Sequence, residues 1–93
     1  MLVATLTVRL HAPWVHSLKE KRTEVKSLLS RLRNKFNVSA AEVDEQDTHQ
    51  TIVVGIAAVA GDPAHADSIL DHLLNFIETN SEAEITSVRR ELL

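Results

Sequence analysis

Residues 2–10 alternate without interruption. Leu2, Ala4, Leu6, Val8 and Leu10 fall on one side of an extended chain, and Val3, Thr5, Thr7 and Arg9, followed by His11, fall on the other. This pattern constrains the fold more than any other feature, because a period of two with one apolar side requires a strand whose inner face is packed on a second layer. Pro13 ends the strand. Ser17-Leu18-Lys19-Glu20 then has the spacing of a capping box, with the Ser17 hydroxyl placed to accept from the third helical amide and Glu20 to reach back. The period changes from two to 3.6: Leu18, Val25, Leu28, Leu29 and Leu32 form one stripe of a helix predicted from Leu18 to about Asn34 or Lys35.

The remaining elements follow in a definite order. Phe36 to about Asp44 reads as a second strand, and Glu45 to Gln50 as a polar connection. Thr51–Ala60, rich in Ile, Val and Ala, reads as a central strand buried on both faces. Gly61 closes it, and Asp62-Pro63 supplies an N-cap and a preorganised first helical residue. Ala66, Ile69, Leu70, Leu73, Leu74 and Ile77 form the apolar face of the second helix, which Asn80-Ser81 ends. A short strand from about Glu84 to Glu91 completes the chain at a sheet edge.

The predicted order is β-α-β-β-α-β, a single α+β domain over residues 1–93. Its usual solution is a two-layer sandwich with both helices on one face of a four-stranded antiparallel sheet. Right-handed crossovers place the first and third strands in the centre. At 44% hydrophobic and 25% charged residues the composition is that of a globular protein, and the absence of cysteine excludes disulfides, thiolate zinc sites and a cysteine nucleophile. No apolar run is long enough to span a bilayer, and no charged leader precedes the first strand, so a cytoplasmic protein without a membrane partner is expected.

Charge is distributed unevenly. Seven of the ten Lys and Arg residues lie between Lys19 and Lys35, with only Glu20 and Glu24 among them, in a chain whose net charge is −3. On a helix turning about 100° per residue, Lys19, Arg22, Lys26 and Arg33 line one flank roughly 40–100° from Leu18. Arg22–Lys26 and Arg31–Lys35 are like-charge pairs at the unfavourable spacing, and Lys19, Lys21 and Arg22 sit where the helix dipole disfavours cations. A phosphate-bearing partner would relieve both costs. The expected anion- or nucleic-acid-binding set is therefore Lys19, Lys21, Arg22, Lys26 and Arg33, which Arg9, Arg89 or Arg90 could extend. The competing reading is a solvated flank whose long side chains cover the apolar rim.

Other candidates are less specific. Trp14, between His11 and His16 at the helix entrance, could stack on a base, although a Trp beside Pro13 also suits a core edge or subunit contact. The histidines match no metal-site spacing, and no metal or cofactor is expected. Glu42, Asp44, Glu45 and Asp47 read as a solvated acidic turn, and His65 and His72 among Asp62, Asp67 and Asp71 as a solvated acidic face of the second helix. In the third strand Val53, Gly55, Ala57 and Val59 share one face with Thr5 and Thr7 of the first. Aromatic residues are missing there, so the sheet lacks the base-stacking surface of RNA-recognition domains, and its small apolar residues predict a homodimer interface instead. The chain contains no Gly-rich phosphate loop, nucleophile elbow or His-Glu-x-x-His sequence, and no catalytic residue is assigned.

His16-Ser17-Leu18-Lys19-Glu20-Lys21-Arg22, then Phe36-Asn37-Val38-Ser39 and Ala41-Glu42-Val43-Asp44-Glu45-Gln46-Asp47, resemble the YlxP-like family of small bacterial proteins of unknown function, over nearly the whole chain. The resemblance implies a ferredoxin-like fold and a cytoplasmic bacterial protein. Family genes often neighbour those of transcription elongation, translation initiation and ribosome maturation factors, which implies an association with RNA or ribosomes. The leading expectation is a non-enzymatic RNA- or ribosome-associated binding module. Two alternatives stand beside it: an oligomeric protein-interaction or regulatory domain, and a small-anion sensor or enzyme at the N-terminus of the first helix.

Overall fold

The computed structural model describes residues 1–93. It contains β1 (Leu2–His11), α1 (Leu18–Lys35), β2 (Ser39–Asp44), β3 (Thr51–Ala60), α2 (Pro63–Asn80) and β4 (Glu84–Leu92). The strands form one antiparallel sheet in the order β2-β3-β1-β4, with both helices on one face: a ferredoxin-like α+β fold. The alternation of β1 sets the packing. Ala4, Leu6, Val8 and Leu10 are fully buried and pair with Ala58, Ile56, Val54 and Ile52 of β3, so the two central strands present one continuous apolar floor. Leu28, Leu29 and Leu32 of α1 and Ala66, Leu70, Leu73 and Ile77 of α2 close the core from above.

Side-chain oxygens start both helices. Ser17 Oγ accepts from the Glu20 amide at 3.1 Å, and Asp62 Oδ1 accepts from the His65 amide at 2.8 Å, each satisfying a donor that has no partner within its helix. Only the first half of the expected capping box forms, since the Glu20 carboxylate makes no return bond to Ser17. Ser17→Ala should therefore lower stability by about 0.5–2 kcal/mol. A urea titration reads this as an earlier midpoint at unchanged slope, and an unmoved midpoint would show that the cap contributes nothing.

Two elements differ from the sequence reading. β2 begins at Ser39 rather than Phe36, because Phe36 caps α1 through its amide bond to the Leu32 carbonyl. The Phe36 ring then packs edge-on against Phe76 of α2, with centroids 5.5 Å apart, and aromatic contact between the helix ends outweighs strand extension. β3 is also not buried on both sides. Its inner residues are buried, but on the outer face Gly55 and Ala57 are only partly covered and Val59 is 62% exposed. Val53, on the same face, is already buried at 5% within the chain and so drops out of the expected interface, whereas no helix or loop covers the stretch from Gly55 to Val59.

Candidate nucleic-acid interface

α1 lies against the β2 side of the sheet, and α2 covers β1, β3 and β4. β2 runs back along α1, so contacts at both ends brace the helix over this edge strand. Near its C-terminus, Arg33 Nη2 donates to the Ala40 carbonyl at 2.5 Å. On the opposite flank Arg31 donates to the Ser27 carbonyl and, through Nη1, to the Asn80 carbonyl at the end of α2. These two contacts define the orientation of α1. The flank bearing Lys19, Arg22, Lys26 and Arg33 faces outward over β2, while the flank bearing Arg31 faces α2.

Lys19, Arg22, Lys26 and Arg33 are all exposed, and none has a carboxylate within ion-pair distance. Lys21 is different. Its side chain is 1% exposed, with Nζ 2.9 Å from Glu42 Oε2 and donating to the Glu45 carbonyl. The approach to Oε2 lies off the hydrogen-bonding direction, so the contact with Glu42 is an ion pair, and the Glu45 carbonyl takes the hydrogen bond. Lys21 is thus removed from the set expected to meet phosphates. It neutralises a carboxylate beneath the helix instead. Glu42 leaves the supposed solvated turn for the same reason, since its side chain is only 17% exposed.

The signal for this burial lay in the helical wheel. At 100° per residue Lys21 falls at about 300°, between Leu28 at about 280° and Leu32 at about 320°, in the middle of the apolar stripe. A cation there needs a buried acceptor, and Glu42 is the residue that β2 carries onto the helix-covered face: it pairs with Val54, a core residue of β3. The turn after β2 completes the arrangement. Glu45 adopts a left-handed backbone (φ 56°), its amide bonds Asp44 Oδ1 at 2.8 Å, and its carbonyl accepts from the Thr48 amide at 3.0 Å as well as from Lys21. For a non-glycine residue that conformation costs about 1 kcal/mol, which the converging donors offset.

The entrance to α1 is similarly fastened. Ala12 and Val15 are fully buried, the Ala12 amide bonds the Gln50 carbonyl at 2.8 Å, and Gln50 Nε2 donates to the Pro13 and Val15 carbonyls at 2.9 and 3.1 Å. Two anchors with one clamp between them turn Trp14 outward at 37% exposure, next to the exposed His16, while His11 at the end of β1 is half-buried. Among the possible extensions, Arg90 pairs with Asp71 at 2.6 Å and Arg89 with Glu91 at 2.9 Å, so both are already matched. Arg9 lies on the helix-free face of the sheet, away from the α1 flank. His65 and His72 are exposed on α2, bonding the Gly61 amide and the Ser68 carbonyl respectively. No group of three His, Asp or Glu side chains converges as a metal site, and no helix is long and apolar enough to cross a membrane.

The arrangement can attract an anionic polymer along one helix flank, where Lys19, Arg22 and Lys26 on successive turns and Arg33 two turns on, past Ser30, stand free of carboxylates. It matches known proteins over most of its length. A curated relative, the uncharacterized protein YlxP of Bacillus subtilis (strain 168), is 45% identical over 75 residues, covering 81% of this chain and 82% of the relative. The family described as "Protein of unknown function (DUF503)" matches residues 3–90, from the first buried strand to the last, and the chain belongs to that family.

Proposed function

We propose that this protein is a non-enzymatic RNA- or ribosome-associated binding module whose contact surface is the outer flank of α1. The observation that carries the reading is the separation of its cations: Lys21, Arg89 and Arg90 have carboxylate partners, whereas Lys19, Arg22, Lys26 and Arg33 share one exposed row without any. In an acidic chain an unmatched row of this kind costs self-repulsion, here between Arg22 and Lys26 one turn apart, and phosphates of a partner would offset it. The helix is held by Arg31 on α2 and by Lys21 on β2, so the row is presented on a braced element rather than a mobile one. Trp14, turned outward at the entrance of the same helix, adds a planar surface on which a base can stack.

Binding of this kind is governed by charge and is largely independent of sequence. Affinity for single-stranded RNA should fall steeply as salt rises, because each phosphate that meets a cation releases a counterion. Replacing Arg22 and Lys26 together by Gln should weaken binding and flatten the log–log salt slope by about 0.7 for each phosphate that is no longer neutralised. Folding should be unaffected, since both side chains are exposed. Fluorescence anisotropy with a labelled RNA across a salt series, together with co-sedimentation with ribosomal particles, checks this. An unchanged slope in the double variant, or no association of the wild type at low salt, would reject the reading.

A further inference from the structure

We infer that the helix-free face of the sheet is an interface for a second copy of this chain, forming a two-fold dimer with layers in the order α-β-β-α. The inference is independent of the RNA reading, which concerns the other layer. Strand register identifies the face row by row. Leu93, Val3 and Val59 form one apolar end, followed by Glu91, Thr5, Ala57 and Ser39, then Arg89, Thr7, Gly55 and Ala41, then Ser87, Arg9, Val53 and Asp44, and last Glu84, His11 and Thr51. Three large apolar side chains are exposed on it: Val59 at 62%, Val43 at 52% and Leu93 at 70%. Exposed apolar surface that is continuous across strands, and not scattered singly, marks an interaction site.

The centre of the face is shaped by a missing side chain. A Cβ on Gly55 would lie 2.8 Å from Val43 Cγ1, so the absence of that atom lets Val43 lean across the strand from the irregular end of β2. The result is a shallow concavity of about 360 Å³ between Val43, Ala57, Thr5 and Thr7. Small residues in the middle and larger apolar ones at the rim allow two such sheets to approach closely.

Charge selects the occupant. The face carries Arg9 and Arg89 against Asp44, Glu91 and, at its far end, Glu84, two cations and three anions, with Arg89 and Glu91 already paired at 2.9 Å. It is therefore mixed in sign and close to balance, with the one unmatched anion at its margin, whereas α1 is strongly basic. In a two-fold interface each copy meets the same patch, so a patch with net charge would repel itself and a balanced one does not. A nucleic acid would meet neither a basic surface nor an aromatic one here.

Area is sufficient for a modest affinity. Four strands about 4.8 Å apart, over the roughly 20 Å from Val3 to Arg9, give about 390 Å² of projected face per copy, and side-chain relief brings the pair to on the order of 900–1,200 Å². That range reaches the lower end for specific complexes, so association at micromolar concentration is expected.

Sedimentation velocity from about 1 to 200 μM tests this, at low and at moderate salt. The wild type should shift with concentration from the 10.3 kDa monomer to twice that mass. Ala57→Glu, at the centre of the face, and Val59→Lys, at its apolar end, should each keep the far-UV spectrum and a cooperative melt while weakening dimerisation at least tenfold, because either places an unmatched charge in the contact. A wild type that stays monomeric throughout overturns the inference. So does a dimer that persists in both folded variants, which would use another surface. If one variant fails to fold, the other decides.

Discussion

Lys21→Met should destabilise the domain by about 3–5 kcal/mol, because it leaves the Glu42 carboxylate beneath α1 with no cation. Lys21 is 1% exposed and Glu42 17%, so water can reach the orphaned carboxylate only in part. Removing the hydrogen bond to Glu45 adds to the effect, since that bond also holds a left-handed residue in place. The companion double variant, Lys21→Met with Glu42→Leu, should recover most of the stability. Replacing both members of a buried pair with apolar side chains of similar size is often neutral or stabilising. Urea denaturation of the wild type, both single variants and the double variant closes the cycle. A Lys21→Met variant within about 1 kcal/mol of wild type would show that the pair is solvated.

Leu32→Ala should cost about 2–5 kcal/mol, the range for a fully buried leucine whose cavity closes only in part. Leu32 is 0% exposed, and α1 holds to the rest of the domain through few buried residues, Val25, Leu28, Leu29 and Leu32 besides Lys21. With a urea slope of about 1–3 kcal/mol/M, the transition midpoint should move earlier by roughly 1 M or more. RNA affinity of the variant, measured where it is still folded, should be close to wild type, since no cation of the row is altered. A large drop in affinity in the folded variant would mean that binding depends on how firmly α1 is seated and not only on its charge.

The two predictions concern one helix, and the effects they describe were unequally visible in the sequence. The stripe containing Leu32 follows from period alone. Lys21 occupies a position in the same stripe, yet its residue type suggests a surface cation, and residue type was the misleading signal. Its partner could not be chosen from the sequence, because Glu42 is one of four carboxylates within six residues. What distinguishes it is strand parity and register. Glu42 lies opposite Val54 on the covered face, whereas beyond the irregularity in β2 Asp44 lies opposite Val53 on the open one. Phe36 shows the same limit, since its sequence context is compatible with a strand and its contact with Phe76 of α2 makes it a helix cap.

Local rules acting over a few residues were enough to determine the order of elements, the two N-caps, the inward face of β1 and the row of Lys19, Arg22, Lys26 and Arg33. Each depends on the chain's own period or on a hydrogen bond to the next turn, and these are properties of neighbouring residues. Tertiary structure decided, for all but Arg89, which cations found a carboxylate and which remained free. Lys21 is neutralised from β2, Arg90 from α2 and Arg89 from its own strand, and the first two pairings join segments brought together only by the packed sheet and helices. Burial also determines what such contacts mean. An ion pair under a helix cannot lose one member without cost because water is largely excluded from it, whereas the same charges one turn away remain in solvent and available to a partner.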